Sequence, residues 1–262
     1  MSKIFVYKVK PQRMKPDKFT KIARYLEIKN KPVETDEALL IRDSSRALAY
    51  GQPEAKCAGL LFYTDQSKGV AEAVVKLLDV KRAKRWADEF LQRFDLIPRK
   101  VEDKRVDFRF DTTNYQTEAV TFDGKERRKS KVKTEIGSKI VLNGTPVVGP
   151  RAKVRMIFKG QESPILIHRG LWEDIEVYEE REVVREHDIV KVVREKLTKR
   201  RNGRAYYNVI DIKLAYFAHE FNGGPDILAP FYFIEVEYED INAEKKDVMQ
   251  GLRQIFWLPA YR

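Results

Sequence analysis

Residues 206–218 read YYNVIDIKLAYFA. Ile210, Ile212, Leu214 and Tyr216 alternate with Asp211, Lys213 and Ala215, the period-two pattern of a strand with one side against a core. Upstream, residues 187–197 read HDIVKVVREKL. Asp188 suits the positive end of a helix dipole, and Ile189, Val192, Val193 and Leu197 supply one apolar face. Lys199, Arg200 and Arg201 suit the negative end, and Gly203 can terminate the helix. Downstream, beyond Asn222-Gly223-Gly224-Pro225, come two more strand-like runs, ILAPFYFIEVEY (227–238) and LRQIFWLPAY (252–261). The order helix, strand, strand, strand predicts one helix packed across an antiparallel sheet in the last third of the chain.

Residues 101–180 show no helical period. Runs rich in strand formers follow one another: VDFRF (106–110), EAVTF (118–122), KVKTEI (131–136), KIVL (139–142), AKVRMIF (152–158) and ILIH (165–168). Asp123-Gly124 and Asn143-Gly144 separate some of them and supply the positive φ of tight turns. An antiparallel meander is predicted. KERRKSKVK (125–133) is the densest basic run and flanks a turn, where charge is easily hydrated.

The first hundred residues mix both periods. KIFVYKVK (3–10) reads as a strand. Pro16 suits the first position of a helix whose apolar face is Phe19, Ile22, Ala23 and Leu26. ALLI, RALAY and AGLLFY within 38–63 predict two or three strands, and a longer helix is predicted over about 69–94. Its stripe is Val74, Leu77, Leu78, Ala87, Phe90, Leu91 and Phe94, extended by Trp86. Lys76, Lys81, Arg82, Lys84 and Arg85 form its solvated face. The expected fold class is α+β, two units of helix packed on antiparallel sheet. The expected boundary separates a basic unit, 1–100, from 101–262, which holds the meander and the helix-on-sheet unit.

With 43% hydrophobic and 35% charged residues, the 262-residue chain supports a packed core under a charged surface. No stretch approaches the roughly 18 to 20 unbroken apolar residues of a membrane helix, so no integral membrane segment is expected. The opening MSKIFVYKVKPQRMK is too short in apolar residues for a signal peptide. The sequence as given predicts a cytoplasmic protein, or an exported one whose signal has been removed. Cys57 is the single cysteine, which excludes an intramolecular disulfide and a multi-cysteine metal site. Within AKCAGLLFY it reads as a small buried residue. Residues 1–140 carry 32 Lys+Arg against 21 Asp+Glu, and the remainder carries 19 of each, so the whole net charge of +11 lies in the first part. Such a surface attracts anionic partners in general and identifies none.

The motifs of common chemistries are missing. His168, His187 and His219 are scattered, and His219-Glu220 opens a zinc-protease pattern that Gly223 breaks. There is no glycine-rich phosphate loop and no nucleophile elbow. No cofactor and no metal are expected. Carboxylates are the remaining candidates. Glu235 and Glu237 share a strand face with Phe231 and Phe233, and Asp211 with Lys213 occupies the minority face of the strand before. If those strands pair, Asp211, Glu235 and Glu237, with His219 near the strand end, form a candidate acid/base group beside aromatic rings.

KTEIGSKIVLNGTPVVGPRAKVRMIF (133–158) resembles the FTP propeptide domain of thermolysin- and fungalysin-type proteases, through Gly144, Pro146, Val147 and Gly149. The following unit looks like a PepSY domain, ending in a P-x-Y-x-I-E-V strand. Together the two resemblances cover residues 130–240 or so. They imply a cystatin-like α+β second unit that inhibits, chaperones or senses a protein or peptide partner, with the 143–150 turn and the sheet face as its surface. The leading expectation is therefore a non-enzymatic binding or regulatory protein. One alternative is an isomerase, cyclase or hydrolase of a small-molecule ligand, using the acid/base group. Another is a structural or nucleic-acid-associated protein using the basic first half, although nucleic acid is not the expected partner.

Overall fold

A computed structural model describes residues 3–261 apart from 12, 54, 56, 68–76, 99–100, 124–125, 150–151, 161–162, 171, 173, 201–204, 219–226 and 242–247. At 118–123, 126–131, 197–200, 205–207, 238–241, 248–252 and 254 only the backbone is described. The first elements are β1 (Lys3–Lys10), α1 (Pro16–Tyr25), β2 (Val33–Glu34), β3 (Ala38–Arg42), β4 (Arg46–Gly51), β5 (Leu60–Asp65) and α2 (Val80–Arg93). There follow β6 (Phe108–Asp123), β7 (Glu126–Leu142), β8 (Thr145–Val148), β9 (Lys153–Phe158), β10 (Leu166–Gly170) and β11 (Asp174–Glu182). The last are α3 (Glu186–Arg200), β12 (Ala205–Phe217), β13 (Ile227–Ile241) and β14 (Val248–Pro259).

The expected fold class is overturned. Fourteen strands against three helices among the described residues make a sheet-dominated fold, not a pair of small helix-on-sheet units with a cystatin-like second member. The sequence understates the sheet because its strands are longer than their apolar runs. VDFRF and EAVTF belong to one 16-residue strand, β6, whose polar middle, DTTNYQT, reads as a break. KVKTEI and KIVL belong to the 17-residue β7, across Gly137-Ser138. A sheet with one wet face needs apolar residues at alternate positions only, so polar stretches inside a strand cost little.

Two compact units divide the chain. A terminal unit takes Met1–Lys8, Val177–Phe217 and Ile227–Arg262; a mid-chain unit takes Val9–Glu176 and Ala218–Asp226. In the mid-chain unit the strand order is β8-β7-β9-β10-β5-β4-β3-β2, with β6 also on β7. Neighbours are antiparallel in register, for example Ile136 opposite Met156 and Ile167 opposite Tyr63. Leu39, Ile41, Leu48, Tyr50, Leu61, Tyr63, Met156 and Phe158 are buried, at alternate positions. Helix α1 contacts β3 and α2 contacts β7. The two helices meet through Tyr25, whose ring centroid is 5.8 Å from Trp86, 5.9 Å from Phe90 and 5.4 Å from Phe94.

Helix α2 begins later than its periodicity predicts. Residues 69–76 lie outside the described residues, and Leu77 and Leu78 precede the first helical residue. Asp79 sets the start: its carboxylate accepts from the backbone N–H of Lys81 at 3.0 Å and of Arg82 at 3.3 Å. The Leu78 carbonyl meanwhile accepts the Thr134 hydroxyl at 2.8 Å. Asp79→Ala is expected to cost about 1 kcal/mol of stability, the usual worth of such a cap, read as a shift in urea midpoint with unchanged slope.

In the terminal unit β13 lies between β12 and β14, antiparallel to both. Ile189 and Val193 of α3 are buried with Tyr232, Ile234, Val236 and Leu258 in one apolar cluster, against which Val209, Ile212 and Leu214 pack. Val192, read as part of that apolar face, is exposed. Ile210 departs from its expected partners as well. A bulge shifts the β12–β13 register between Val209 and Asp211, turning Ile210 out so that it is 41% exposed while Val209 faces the cluster. Among the described residues no helix is long and apolar enough to cross a membrane.

Candidate docking surface

The strand that buries Tyr232, Ile234 and Val236 must present Phe231, Phe233, Glu235 and Glu237 on its other side, because strand side chains alternate. Register then fixes the neighbours. Asp211 stands opposite Glu235, Lys213 opposite Phe233, Arg253 opposite Glu237 and Trp257 opposite Phe233. Asp211, Glu235 and Glu237 therefore do share one face of β12 and β13. His219 lies outside the described residues.

Two carboxylates of this face, Asp211 and Glu235, are held by cations. Lys213 donates to Asp211 on its own strand, and that hydrogen bond, with the Asp211 charge, raises the pKa of the Lys213 ammonium. Arg253 donates to Glu235 across the strands at 3.0 Å. Both pairs are open to solvent, in contrast to the desolvated carboxyl that general acid/base work requires.

The centre of the face is aromatic. Trp257 lies 4.4 Å from Phe217 and 5.5 Å from Phe233, centroid to centroid, and Phe217 lies 6.2 Å from Phe231. These are edge and tilted contacts, the arrangement ring quadrupoles favour. Trp257 remains 51% exposed and its strand neighbour Ile255 58%. The sequence reading passed over both. The signal was the alternation of Arg253, Ile255 and Trp257 against Phe256 and Leu258, which splits LRQIFWLPAY between two faces.

The turn that carries Gly144, Pro146, Val147 and Gly149 is described through residue 149. Asn143 (φ 49°) and Gly144 (φ 76°) form a two-residue connection, with Leu142 opposite Thr145. Both central residues have positive φ, which matches strand twist. The Asn143 side chain accepts from the Asp107 backbone N–H at 2.6 Å. Pro146 sits opposite Val141, and Val147 is buried in the core. Gly149 lies against the backbone of Ala218, whose N–H donates to Val148 at 2.8 Å.

A polar cluster in the mid-chain unit has no sequence signature. The Glu135 side chain is 3% exposed and receives Arg155 in a two-pronged pair, Nε to Oε1 at 2.5 Å and Nη2 to Oε2 at 3.0 Å. Lys133 lies 3.7 Å away. Burial pushes the Glu135 carboxyl up, but the hydrogen bonds of Arg155 and Tyr115 and the charges of Arg155 and Lys133 outweigh it, so its pKa falls below the ordinary value. His168, opposite Arg155, is lowered by burial first and then by Lys153 and Arg155. Among the described residues no three His, Cys, Asp or Glu side chains gather as a metal ion needs.

No family model and no curated protein matches the chain, so the FTP and PepSY resemblance gains no support from them. In fold it is similar to an uncharacterized protein from Eubacterium rectale ATCC 33656, with a TM-score of 0.50 over 99% of this chain and 84% of that one. At 12% identity the likeness shows the fold alone.

Proposed function

We propose that the protein is a non-catalytic binding protein, and that the aromatic face of β12–β14 docks an apolar segment of a protein partner. The observation that carries this reading is Trp257, half exposed at the centre of a ring cluster and edged by Ile255 and two ion pairs. Leaving that much aromatic surface in water is unfavourable by about 25 cal/mol per Å², and contiguous exposed apolar patches mark interaction sites. The composition fits: Trp and Arg dominate the energetics of protein interfaces, and charges at the rim set orientation and encounter rate. Among the named strands β14 pairs with β13 alone, which suits a partner that lies along it in extended form.

Asp211 and Glu235 then act as the charged rim of the patch, held there by Lys213 and Arg253. The test places a photo-crosslinking side chain at 257 in cells, identifies the adduct, and measures that purified partner against Trp257→Ala. The expected result is binding weakened about 30-fold, the 2 kcal/mol typical of an interface anchor, with the protein still folded by circular dichroism. A partner that binds Trp257→Ala as tightly as the parent, or catalytic turnover that Asp211→Asn or Glu235→Gln abolishes, would overturn the reading.

A further inference from the structure

Part of the basic surplus of the first 140 residues gathers at one concavity. Between the outer side of α1 and the end of α2 lies an open cavity of about 760 Å³, lined by Lys15, Lys18, Lys21, Arg24 and Arg93 together with Tyr25 and Phe94. At 3.6 residues per turn, Lys18, Lys21, Arg24 and Tyr25 fall within about one third of the circumference of α1, which puts three cations and a ring on one face. Phe19, Ile22 and Ala23 on the other side are buried, so that cationic face is fixed by the core.

Two carboxylates also line the cavity, and they leave most of the charge uncompensated. Asp95 is engaged by Lys18, which donates to the Asp95 carbonyl at 3.1 Å and lies 4.0 Å from its carboxylate. Asp17 alone then faces Lys15, Lys21, Arg24 and Arg93, and none of these four has an ion-pair partner among the described residues. Arg93 is held in place, its guanidinium 5.0 Å from the Tyr25 ring centre and 5.8 Å from that of Phe94. Cation–π contact orients the group without neutralising it. Gathering like charges around a cavity costs Coulomb energy, which a multivalent anion would recover. The volume lies within the range of small-ligand sites, roughly 300–1,000 Å³.

We propose that this cavity is a binding site for consecutive phosphate groups, which Lys21, Arg24 and Arg93 would engage. Such phosphates come from a soluble oligophosphate or from a nucleic-acid strand, and both present the same chemistry to these cations. The site is argued independently of the aromatic face, and it gives the charge asymmetry of the chain a use.

The test titrates the full chain with inorganic tripolyphosphate by calorimetry, and with a short labelled oligothymidylate by fluorescence anisotropy at two salt concentrations. Tripolyphosphate is expected to bind, and Lys21→Glu with Arg24→Glu to weaken it by at least about tenfold, or 1.4 kcal/mol. Arg93→Gln, which keeps the side-chain stem, is expected to weaken it as well. Lys84→Glu with Arg85→Glu, on the exposed side of α2, alters net charge equally and is expected to leave binding in place. Oligothymidylate that competes with tripolyphosphate, with a salt slope near −0.7 per phosphate contacted, would identify a nucleic-acid strand as the source. Tripolyphosphate binding without oligothymidylate binding would identify a soluble oligophosphate. Failure of tripolyphosphate to bind, or equal losses in the α1 and α2 double variants, would overturn the site.

Discussion

Gly149→Ala is expected to destabilise the protein by about 3 to 5 kcal/mol, combining backbone strain with a forced displacement. Gly149 has φ +111°, a conformation L residues rarely adopt. A Cβ there would stand 2.4 Å from the Ala218 carbonyl oxygen, and 3.2 Å from its carbon. The obstacle is backbone, so no rotamer change relieves it. The same segment is tied by the Ala218 N–H to the Val148 carbonyl, and moving it breaks that bond. Gly144→Ala is the control: φ is +76° but nothing lies within 4 Å of the added carbon. Its cost is expected to be strain alone, about 1 kcal/mol. Thermal melts separate the two, since 1 kcal/mol shifts the midpoint by about 2–4 °C in a chain of this size. Equal midpoints for the two variants would show that the close approach to Ala218 does not govern stability.

Arg155→Leu is expected to cost about 3 kcal/mol at neutral pH, and more than Glu135→Leu, because the two partners are unequally buried. The Glu135 side chain is 3% exposed and that of Arg155 40%. Removing the carboxylate frees an arginine that already touches water. Removing the arginine leaves a desolvated carboxylate with Lys133 and Tyr115 as its remaining partners. The pH dependence should also change sign. In the parent, the depressed pKa of Glu135 gives stability that is complete above the ordinary value of 4.5 and is lost as pH falls through the lower folded value. In Arg155→Leu, burial dominates and lifts the folded pKa above 4.5, so stability should fall as pH rises through that window. Urea titrations on either side of pH 4.5 would distinguish the slopes; parallel slopes would refute the account.

The outer face of β12–β14 was partly legible because its chemistry follows from alternation. Once FYFIEVEY is a strand with Tyr232, Ile234 and Val236 inside, Glu235 and Phe233 have to point out, and the pairing of Asp211 with Glu235 follows from register. Ile210 was misplaced because a bulge leaves no mark in a run such as NVIDIKL, where either parity offers an apolar residue. The ion pairs of Asp211 and Glu235 were less legible: Lys213 holds Asp211 on its own strand, whereas Arg253, opposite Glu237 in register, reaches Glu235 instead. The Glu135–Arg155 pair was invisible on similar grounds, being twenty residues apart in a stretch of alternating charge. The cationic cavity was half visible, as an unexplained surplus, but no spacing within α1 predicts that Arg93 will stand over Tyr25.

The division of the chain into interleaved segments also constrains the order in which the nascent polypeptide can fold. Strands β2–β10 are complete once residue 170 has left the ribosome, whereas the register of Tyr7 with Leu228 waits until residue 228 has emerged. The N-terminal strand is therefore synthesised long before its partners β11 and β13, and its edge toward β13 waits longest. Contacts of such sequence separation slow folding, and an idle strand edge is a hazard for misassembly. Lys3, Lys8 and Lys10 on that strand supply the charge that keeps such an edge from joining the wrong neighbour.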